Sequence, residues 1–325
     1  MDVQILSTLV GRKKSAWLDF VKRAGLEPDT RTDTTVLIWE AEQLIAVGSR
    51  LGNLLKCIAI EETYQGTGLT ATVLTHLRQD AFAAGYKHLF LYTKPKNLPQ
   101  FSSLFFYPVA QTQQVLLMEN QPNGIESFLN TLDAPCKKEK IGALVMNCNP
   151  FTLGHRYLIE TAAKECDWVY VFVLAEEQPP FPAADRIQLV KDGIQDLPNV
   201  TVHPTGPYLI SSATFPTYFL PDRDAATQVQ CMLDIAVFTK YFIPKFGITT
   251  RYVGTEPRSS MTRQYNAALK EHLPIPVREI PRLEVDGQPV SASTVREFME
   301  QDPAQLHKLV PPTTLSYLTH FSKED

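Results

Sequence analysis

The sequence predicts an α/β protein with two domains, a mixed α+β domain followed by a doubly wound parallel sheet. The chain has 325 residues, whereas a typical domain has about 100–200. Two prolines, a glycine and a charged run interrupt the pattern between Asn120 and Lys140. After this interruption, short apolar runs alternate with helical patterns, as they do where helices connect parallel strands. We therefore expect domains at residues 1–135 and 138–325.

The first domain is predicted to place several strands before a central helix, which indicates a mixed sheet. A loop with two glycines precedes that helix, and Gly85 is expected to stop it. The predicted elements are a helix at Ser15–Ala24, strands at Thr35–Trp39, Leu44–Ser49 and Leu54–Ile60, the central helix at Leu69–Ala84, and strands at His88–Thr93 and Val115–Met118.

The second domain opens with a continuous apolar run, Ile141–Met146, as expected for a strand buried on both faces. Ligands of a doubly wound sheet bind beyond the carboxyl ends of such strands. The predicted elements that follow are helices at Gly154–Glu165, Ala183–Gly193, Ala226–Phe242 and Ser260–Glu271, and strands at Trp168–Leu174, Val200–His203, Thr249–Val253 and Pro276–Ile280.

Composition excludes several classes of protein. Hydrophobic residues make up 44% of the chain, too many for a disordered protein, and the net charge of −4 argues against a nucleic-acid binder that relies on bulk charge. The five cysteines form no C-x-x-C pair, so we expect free thiols in a reducing compartment. No apolar stretch reaches about 18 residues, so we expect no membrane span and interpret the chain as cytoplasmic.

The most informative stretch reads strand, turn and helix: Ile141–Met146, then Asn149-Pro150, then a helix from Gly154. The free N–H groups at a helix start bind phosphate, and the helix dipole adds to this attraction. Thr152 and His155 are three residues apart, so both can face one point from the first turn. A hydroxyl and an imidazole donor at that point would stabilise charge that develops on phosphorus.

These residues resemble the H-x-G-H signature of the nucleotidylyltransferase superfamily, here with threonine in place of the first histidine. The resemblance implies an adenylylating enzyme that uses ATP, with Thr152 and His155 as catalytic residues. A second stretch, Val290–Arg296, resembles the superfamily's I-S-S-T-x-x-R motif, which implies that Arg296 is also catalytic and binds the leaving phosphates. The residues that we expect to bind ATP are Asn147, Asn149, Phe151, Gly154, Gly254, Glu256, Ser291, Ser293 and Thr294.

Three parts of the sequence have a possible functional role and also a plain structural explanation. Gly254 and Glu256 could border the adenine and ribose or belong to an ordinary loop. Arg186 could reach phosphate or form a surface pair with Asp185. The stretch Tyr208–Phe219, rich in hydroxyls and aromatic rings, could line the pocket for a small acid or reflect composition alone.

The glycine loop of the first domain resembles the pyrophosphate loop Q/R-x-x-G-x-G/A of the acetyl-CoA-dependent N-acetyltransferase (GNAT) superfamily. Gln65 and Gly68 match the pattern, whereas Thr70 departs from it. The resemblance implies that Gln65, Gly66 and Gly68 bind a CoA-like group. The alternative is a simple turn between a strand and a helix, and no general base for acetyl transfer stands out.

The chain as a whole resembles the citrate lyase ligase family, through N-C-N-P-F-T-L-G-H-R-Y-L, Y-L-I-S-S-A-T-F-P-T-Y-F, V-G-T-E-P and S-A-S-T-V-R. The resemblance implies a GNAT-like domain followed by a Rossmann-like adenylylating domain. It implies ATP and acetate as substrates, Mg²⁺ as a metal without identified protein ligands, and transfer of the acetyl group to a thiol. That thiol belongs to the dephospho-CoA-derived prosthetic group of the citrate lyase acyl carrier subunit. No nucleic acid or membrane is expected as a partner.

Two other functions share part of these features. An adenylyltransferase that acts on a phosphorylated cofactor precursor would carry both nucleotide motifs. A non-catalytic module that binds CoA or a carrier would explain the threonine in place of the first histidine, although His155 and Arg296 count against it.

Overall fold

The computed structural model describes residues 1–134, 138–209, 215–220, 226–256 and 259–321. The chain divides into two compact units, the first formed by Met1–Ile125 with Phe215–Leu233 and the second by Glu126–Thr214 with Asp234–Asp325. These ranges differ from the predicted domains, because a segment from the second half joins the first unit. Its Phe215 and Phe219 pack against the ring of Tyr92, at centroid distances of 5.8 and 6.4 Å.

The first unit contains a seven-stranded mixed sheet with the strand order β1-β2-β3-β4-β5-β7-β6. The strands are β1 (Asp2–Leu6), β2 (Thr34–Glu40), β3 (Gln43–Leu51), β4 (Leu54–Ile60), β5 (Phe90–Thr93), β6 (Tyr107–Gln111) and β7 (Leu116–Glu119). Helices α1 (Gly11–Arg23), α2 (Leu69–Ala83) and α3 (Leu98–Ser102) complete the unit. Helix α2 packs closely on β3 at Gly48, where an added Cβ would lie 2.4 Å from a methyl carbon of Val73.

Strands β4 and β5 are parallel neighbours that separate after two residue pairs. Leu54 pairs with Phe90 and Leu55 with Leu91, and no further pairs follow. The other neighbouring strands of this sheet are antiparallel. The separation of the two strands leaves a gap in the middle of the sheet.

The second unit contains a five-stranded parallel sheet with the order β10-β9-β8-β11-β12. Its strands are β8 (Ile141–Met146), β9 (Trp168–Val173), β10 (Val200–Pro204), β11 (Thr250–Gly254) and β12 (Val277–Ile280), and the two-residue strands β13 (Glu284–Val285) and β14 (Gln288–Pro289) pair separately. Its helices are α5 (Leu153–Glu165), α6 (Ala183–Gly193), α8 (Ile243–Phe246), α9 (Ser260–His272), α10 (Ala292–Gln301) and α11 (Pro312–Phe321). Helices α4 (Gly124–Asn130) and α7 (Ala226–Val237) span the unit boundaries.

Elements pack on both faces of the parallel sheet. Residues of α5 and α6, among them Ile159 and Val190, share one core with the strands. On the other face, a π-helical turn at Phe238–Phe242 packs its aromatic rings against Phe172. The predicted fold class, a mixed α+β domain and a doubly wound parallel sheet, is confirmed.

Local patterns predicted β4, β8 and α6 to the residue, but they missed two strands of the first unit. Strand β1 has several exposed residues, and β6 begins with Tyr107-Pro108, where proline disfavours a strand. The predicted helix at Ala226–Phe242 changes to a π-helical turn after Val237. No helix in the described ranges combines the length and apolar character that crossing a membrane requires.

Candidate active site

The chain reverses its direction across the sheet between β8 and β11. From β8 it continues to β9 and β10 on one side, and it returns to place β11 and β12 on the other. Ligands of open α/β sheets bind at such a switch point, beyond the carboxyl ends of the strands. The loop at residues 147–152 follows β8, and Gly254 ends β11. The topology therefore brings both predicted nucleotide segments to the same edge.

Thr152 is the N-cap of α5, and His155 occupies the third helical position. The hydroxyl of Thr152 accepts a hydrogen bond from the backbone N–H of His155 at 3.3 Å. In return, the backbone N–H of Thr152 donates to Nδ1 of the imidazole at 3.1 Å, and the hydroxyl lies 2.9 Å from the same nitrogen. This reciprocal capping box fixes the ring to the helix start.

The capping box also decides which nitrogen of His155 carries the proton. A backbone N–H can only donate, so Nδ1 must accept, and the proton of the neutral ring resides on Nε2. Burial, together with the positive charge of Arg282, lowers the pKa of His155 to about 4. At neutral pH the side chain therefore presents an uncharged Nε2–H donor.

Thr152 is 1% exposed, and its hydroxyl is engaged with the backbone and the ring of His155. Both polar functions of Thr152 contact His155, and these contacts hold the imidazole at the start of the helix. The predicted catalytic role of Thr152 stays a prediction.

Gly154 brings two helix starts together. A Cβ at this position would lie 3.0 Å from the carbonyl oxygen of Val290, directly before the N-cap of α10. The absence of a side chain at Gly154 thus lets the two helix starts pack closely, and its expected contact with ATP stays a prediction. Ser291, the N-cap of α10, accepts from the backbone N–H of Thr294 at 3.1 Å, and their hydroxyl oxygens lie 2.8 Å apart.

Arg296 connects these two helix starts. One guanidinium nitrogen donates to the carbonyl of Asn149, and the other donates to the hydroxyl of Ser293 at 3.2 Å. The sequence predicted that Arg296 and the T-x-G-H segment form one site, and the structure brings them together. Ser293 is exposed beside this contact and is accessible to a ligand.

Three other predicted ATP-binding residues are held from inside the protein. Asn147 accepts from Arg186 and donates to Gln178 at 2.8 Å, while Asn149 donates to the carbonyl of Pro179 at 3.1 Å. Phe151 is fully buried and stacks beside His155. Their side chains therefore hold the loop after β8 in its shape.

Arg186 plays a structural role that neither alternative anticipated. It is fully buried and donates to the carbonyl groups of Asn147 and Glu176. Asp185, its proposed surface partner, instead accepts from the hydroxyl of Tyr317 at 2.6 Å. Arg186 therefore ties the loop after β8 to the loop after β9.

Gly254 and Glu256 lie at the carboxyl end of β11, and Arg282 holds this segment. Arg282 donates to the carbonyl of Thr255 at 2.7 Å and forms an ion pair with Glu256. Sequence reasoning missed Arg282, because only the pairing of β11 with β12 brings residue 282 close to residues 255 and 256. Its charge also acts on His155, as the lowered pKa of that residue shows.

The first unit contains a cavity of about 710 Å³ where β4 and β5 separate. Gln65 and Gly66 line it, and Gly68 begins α2 beside it with φ +86°. Other residues that line the cavity are Arg23, Lys94 and Lys96, which are basic, and Glu61 and Glu62, which are acidic.

Tyr218 lines this cavity and bridges the two separated strands. Its hydroxyl lies 2.5 Å from the carbonyl oxygen of Tyr92 and 3.4 Å from that of Leu55, one on each strand. Burial raises the pKa of Tyr218 well above its usual value, so the hydroxyl stays protonated. Of the predicted stretch Tyr208–Phe219, residues 210–214 lie outside the described ranges, and Tyr218 serves the first unit.

Comparison with known proteins identifies the family. The family model for the citrate lyase ligase C-terminal domain matches residues 141–318. The [Citrate [pro-3S]-lyase] ligase of Klebsiella pneumoniae is 40% identical over 94% of this chain and 92% of its own length. Those of Escherichia coli (strain K12) and Haemophilus influenzae are 38% and 36% identical, over 94% of this chain and 90% and 95% of their own lengths. The chain belongs to the citrate lyase ligase family.

Membership of the citrate lyase ligase family confirms that the protein is an enzyme and a ligase. The T-x-G-H segment and the S-A-S-T-V-R segment both fall inside the residues that the family model matches. Within the described ranges, no group of three or more histidine, cysteine, aspartate or glutamate side chains is arranged to bind a metal.

We expect Thr152→Val to destabilise the second unit, since it removes the N-cap hydroxyl while keeping the side-chain volume. Loss of an N-cap typically lowers the free energy of unfolding by about 1 kcal/mol. Urea unfolding followed by circular dichroism measures this change, and Thr152→Ser, which retains the hydroxyl, serves as the control. Equal urea midpoints for Thr152→Val and the wild type would show that the cap contributes nothing.

The imidazole of His155 should titrate far below an ordinary histidine. We expect a titration midpoint near pH 4, since burial and Arg282 lower its pKa to about 4. Nitrogen-15 NMR of the ring at pH 7 should show a proton on Nε2 and none on Nδ1. A midpoint in the range of an ordinary exposed histidine, or a proton on Nδ1, would contradict the hydrogen bond from the Thr152 backbone.

Proposed function

We propose that this chain acetylates the thiol of the prosthetic group on the acyl carrier subunit of citrate lyase, in two steps that use ATP. In the first step, a carboxylate oxygen of acetate attacks the α-phosphorus of ATP, the bond to the β-phosphate breaks, and diphosphate leaves. In the second step, the thiol attacks the acetyl carbon of acetyl-adenylate, AMP leaves, and the thiol proton passes to solvent. The products are AMP, diphosphate and the thioester.

The observation that carries this proposal is the neutral Nε2–H donor of His155 at the start of α5. A donor that is fixed before the reaction stabilises the charge that develops on the α-phosphate without reorganisation. The ring cannot shift easily, because Thr152 binds its other nitrogen and Phe151 stacks beside it. His155 would therefore favour the pentavalent transition state over the ground state.

The start of α10 supplies the surroundings for the departing diphosphate. The N-terminus of a helix attracts anions, and Gly154 sets this helix start beside that of α5. Arg296 adds a positive charge, and Ser293 offers an exposed hydroxyl next to it. Gly254 and Glu256, at the end of the neighbouring strand, would border the adenine and ribose.

Mg²⁺ would neutralise the phosphates of ATP. This ion retains several waters and binds readily through substrate phosphates with few protein ligands. A bound Mg²⁺ would therefore need no cage of carboxylates from the described residues. Among the described cysteines, Cys57, Cys148 and Cys166 are free thiols and are buried, which supports a reducing compartment such as the cytoplasm.

In the first unit, the cavity between β4 and β5 would hold the phosphopantetheine arm of the carrier. Its loop from Gln65 to Gly68 leads into the start of a 15-residue helix, where backbone N–H groups attract anions, and Lys94 and Lys96 add positive charge. Tyr218 remains protonated and is engaged with backbone carbonyl groups, so it is unsuited as a base. We therefore assign this unit to binding of the arm and not to acetyl transfer from CoA.

Replacing His155 by alanine should lower acetate-dependent ATP–diphosphate exchange at least about 100-fold, as is typical when one transition-state donor is lost. Isotope exchange between diphosphate and ATP, measured at saturating acetate, gives the rate. Tyr157→Ala, on the exposed face of the same helix, is the control and should keep the rate. Normal exchange in the histidine variant would refute the role of His155, and exchange supported by phosphopantetheine and not by acetate would favour the adenylyltransferase alternative.

Replacing Gly68 by valine should impair acetylation of the carrier and leave the exchange reaction intact. The residue has φ +86°, which a β-branched side chain resists, so the phosphate loop would distort. We expect the KM for the carrier to rise about tenfold or more, because hydrogen bonds to a phosphate are lost.

Gly85→Val is a matched control, because Gly85 has φ +88° and ends the same helix away from the cavity. Its backbone strain is similar, so any general loss of stability should appear in both variants. Equal carrier kinetics for the two variants would rule out a role for the Gly68 loop in binding the arm.

A further inference from the structure

Arg251 carries a buried positive charge with unsatisfied donors. The residue lies on β11 and is 3% exposed. Its Nε and Nη1 are buried and have no hydrogen-bond partner among the described residues. A buried guanidinium that lacks partners is costly to the folded state, so its presence points to a ligand that supplies the missing acceptors.

The side chain lies on the sheet face opposite α5. Arg251 pairs with Ala143 on β8 and Val277 on β12, so it sits between a small and an aliphatic neighbour. Its guanidinium carbon lies 4.6 Å from the centroid of the Phe238 ring. The charged guanidinium of Arg251 therefore has apolar neighbours on several sides.

Asp234 is the nearest acidic influence, but it does not form an ion pair with Arg251 within 4.0 Å among the described residues. Its carboxylate instead accepts from the hydroxyl of Tyr265 at 2.6 Å. Burial raises the pKa of Asp234 to about 6, an effect that outweighs the opposing influence of Tyr265 and Arg251. The guanidinium fork thus keeps its donors available while part of its charge is balanced.

The residues around Arg251 are linked to the edge of the sheet where the nucleotide would bind. Glu176, which follows β9, is close enough to Asp234 to influence its pKa. The carbonyl of the same glutamate accepts from Arg186, which also donates to the carbonyl of Asn147 in the loop after β8. The electrostatic influence of Glu176 on Asp234, followed by the hydrogen bonds of Arg186, therefore links the surroundings of Arg251 to the loop that leads to His155.

We propose that Arg251 binds the carboxylate of the small organic acid that the enzyme activates. A guanidinium matches a carboxylate with two parallel hydrogen bonds, and the ring of Phe238 provides an apolar surface for a methyl group. Asp234 balances part of the charge of Arg251, so a single carboxylate fits the site better than a triphosphate. The several negative charges of a triphosphate would be repelled by the carboxylates of Asp234 and Glu176. This assignment rests on the proposed function and names the acid site within it.

The test uses Arg251→Met in the full-length protein, with Arg278→Met as the matched control. Arg278 lies on the adjacent strand β12 with a side chain that is 58% exposed. In the exchange assay, we expect Arg251→Met to raise the KM for acetate about tenfold or more, since charged hydrogen bonds are lost, and to leave the KM for ATP nearly unchanged. Arg278→Met should change neither constant.

Two further measurements separate binding from folding. Removing a buried charge without partners should raise the urea midpoint of Arg251→Met above that of the wild type. Acetate alone, without ATP, should raise the thermal unfolding temperature of the wild type and not that of the variant. If Arg251→Met fails to fold, Arg251→Lys keeps the charge without the fork and should show a raised KM for acetate.

The outcomes are distinct. An unchanged KM for acetate in Arg251→Met overturns the assignment, and a selective rise in the KM for ATP assigns the guanidinium to the nucleotide instead. Absence of acetate-dependent exchange in the wild type refutes the proposed function itself. In that case, thermal protection by acetate that is lost in Arg251→Met would still support a carboxylate site, and absence of protection in the wild type would overturn it.

Discussion

The hydrogen bond from the Thr152 backbone to Nδ1 of His155 is the interaction on which the site in the second unit depends. Through this bond, the helix cap selects one tautomer and one orientation of the imidazole ring. Burial and the charge of Arg282 then keep the ring neutral. A charged imidazolium would bind phosphate more tightly in the ground state as well, whereas a fixed neutral donor gives its strongest interaction as charge accumulates in the transition state.

The loop that carries Thr152 is shaped by side chains that contact the interior of the second unit. Asn147, Asn149 and Phe151 all direct their side chains into the protein, and Arg186 anchors the main chain below them. Cys148 in this loop has φ +53°, a conformation that costs a non-glycine residue free energy. The contacts of its neighbours maintain this conformation. Residues of a nucleotide motif can thus matter for the shape of a loop as much as for contact with substrate.

The sequence alone was sufficient where the signal is local. Strand β8 and the T-x-G-H helix start follow from an apolar run and a cap, and the pairing of Arg296 with that segment followed from a family resemblance. The features that the sequence did not reveal depend on contacts between residues that are far apart along the chain. Arg282 joins the site only because β12 pairs with β11. Tyr218 bridges two strands of the first sheet, although all seven strands of that sheet come before residue 126 in the chain. No spacing rule along the chain encodes either contact.

The two buried arginines of the second unit show how partners distinguish a structural residue from a functional one. Arg186 is fully buried and directs both terminal nitrogens at acceptors of the protein, so that only its Nε lacks a partner. Arg251 is buried to nearly the same extent, yet both Nε and Nη1 lack partners. Folding alone gives no reason to retain such a charge, because an apolar side chain of similar volume would pack in its place at lower cost. A requirement to recognise an anion gives that reason, and in the function proposed above that anion is the carboxylate of the small acid.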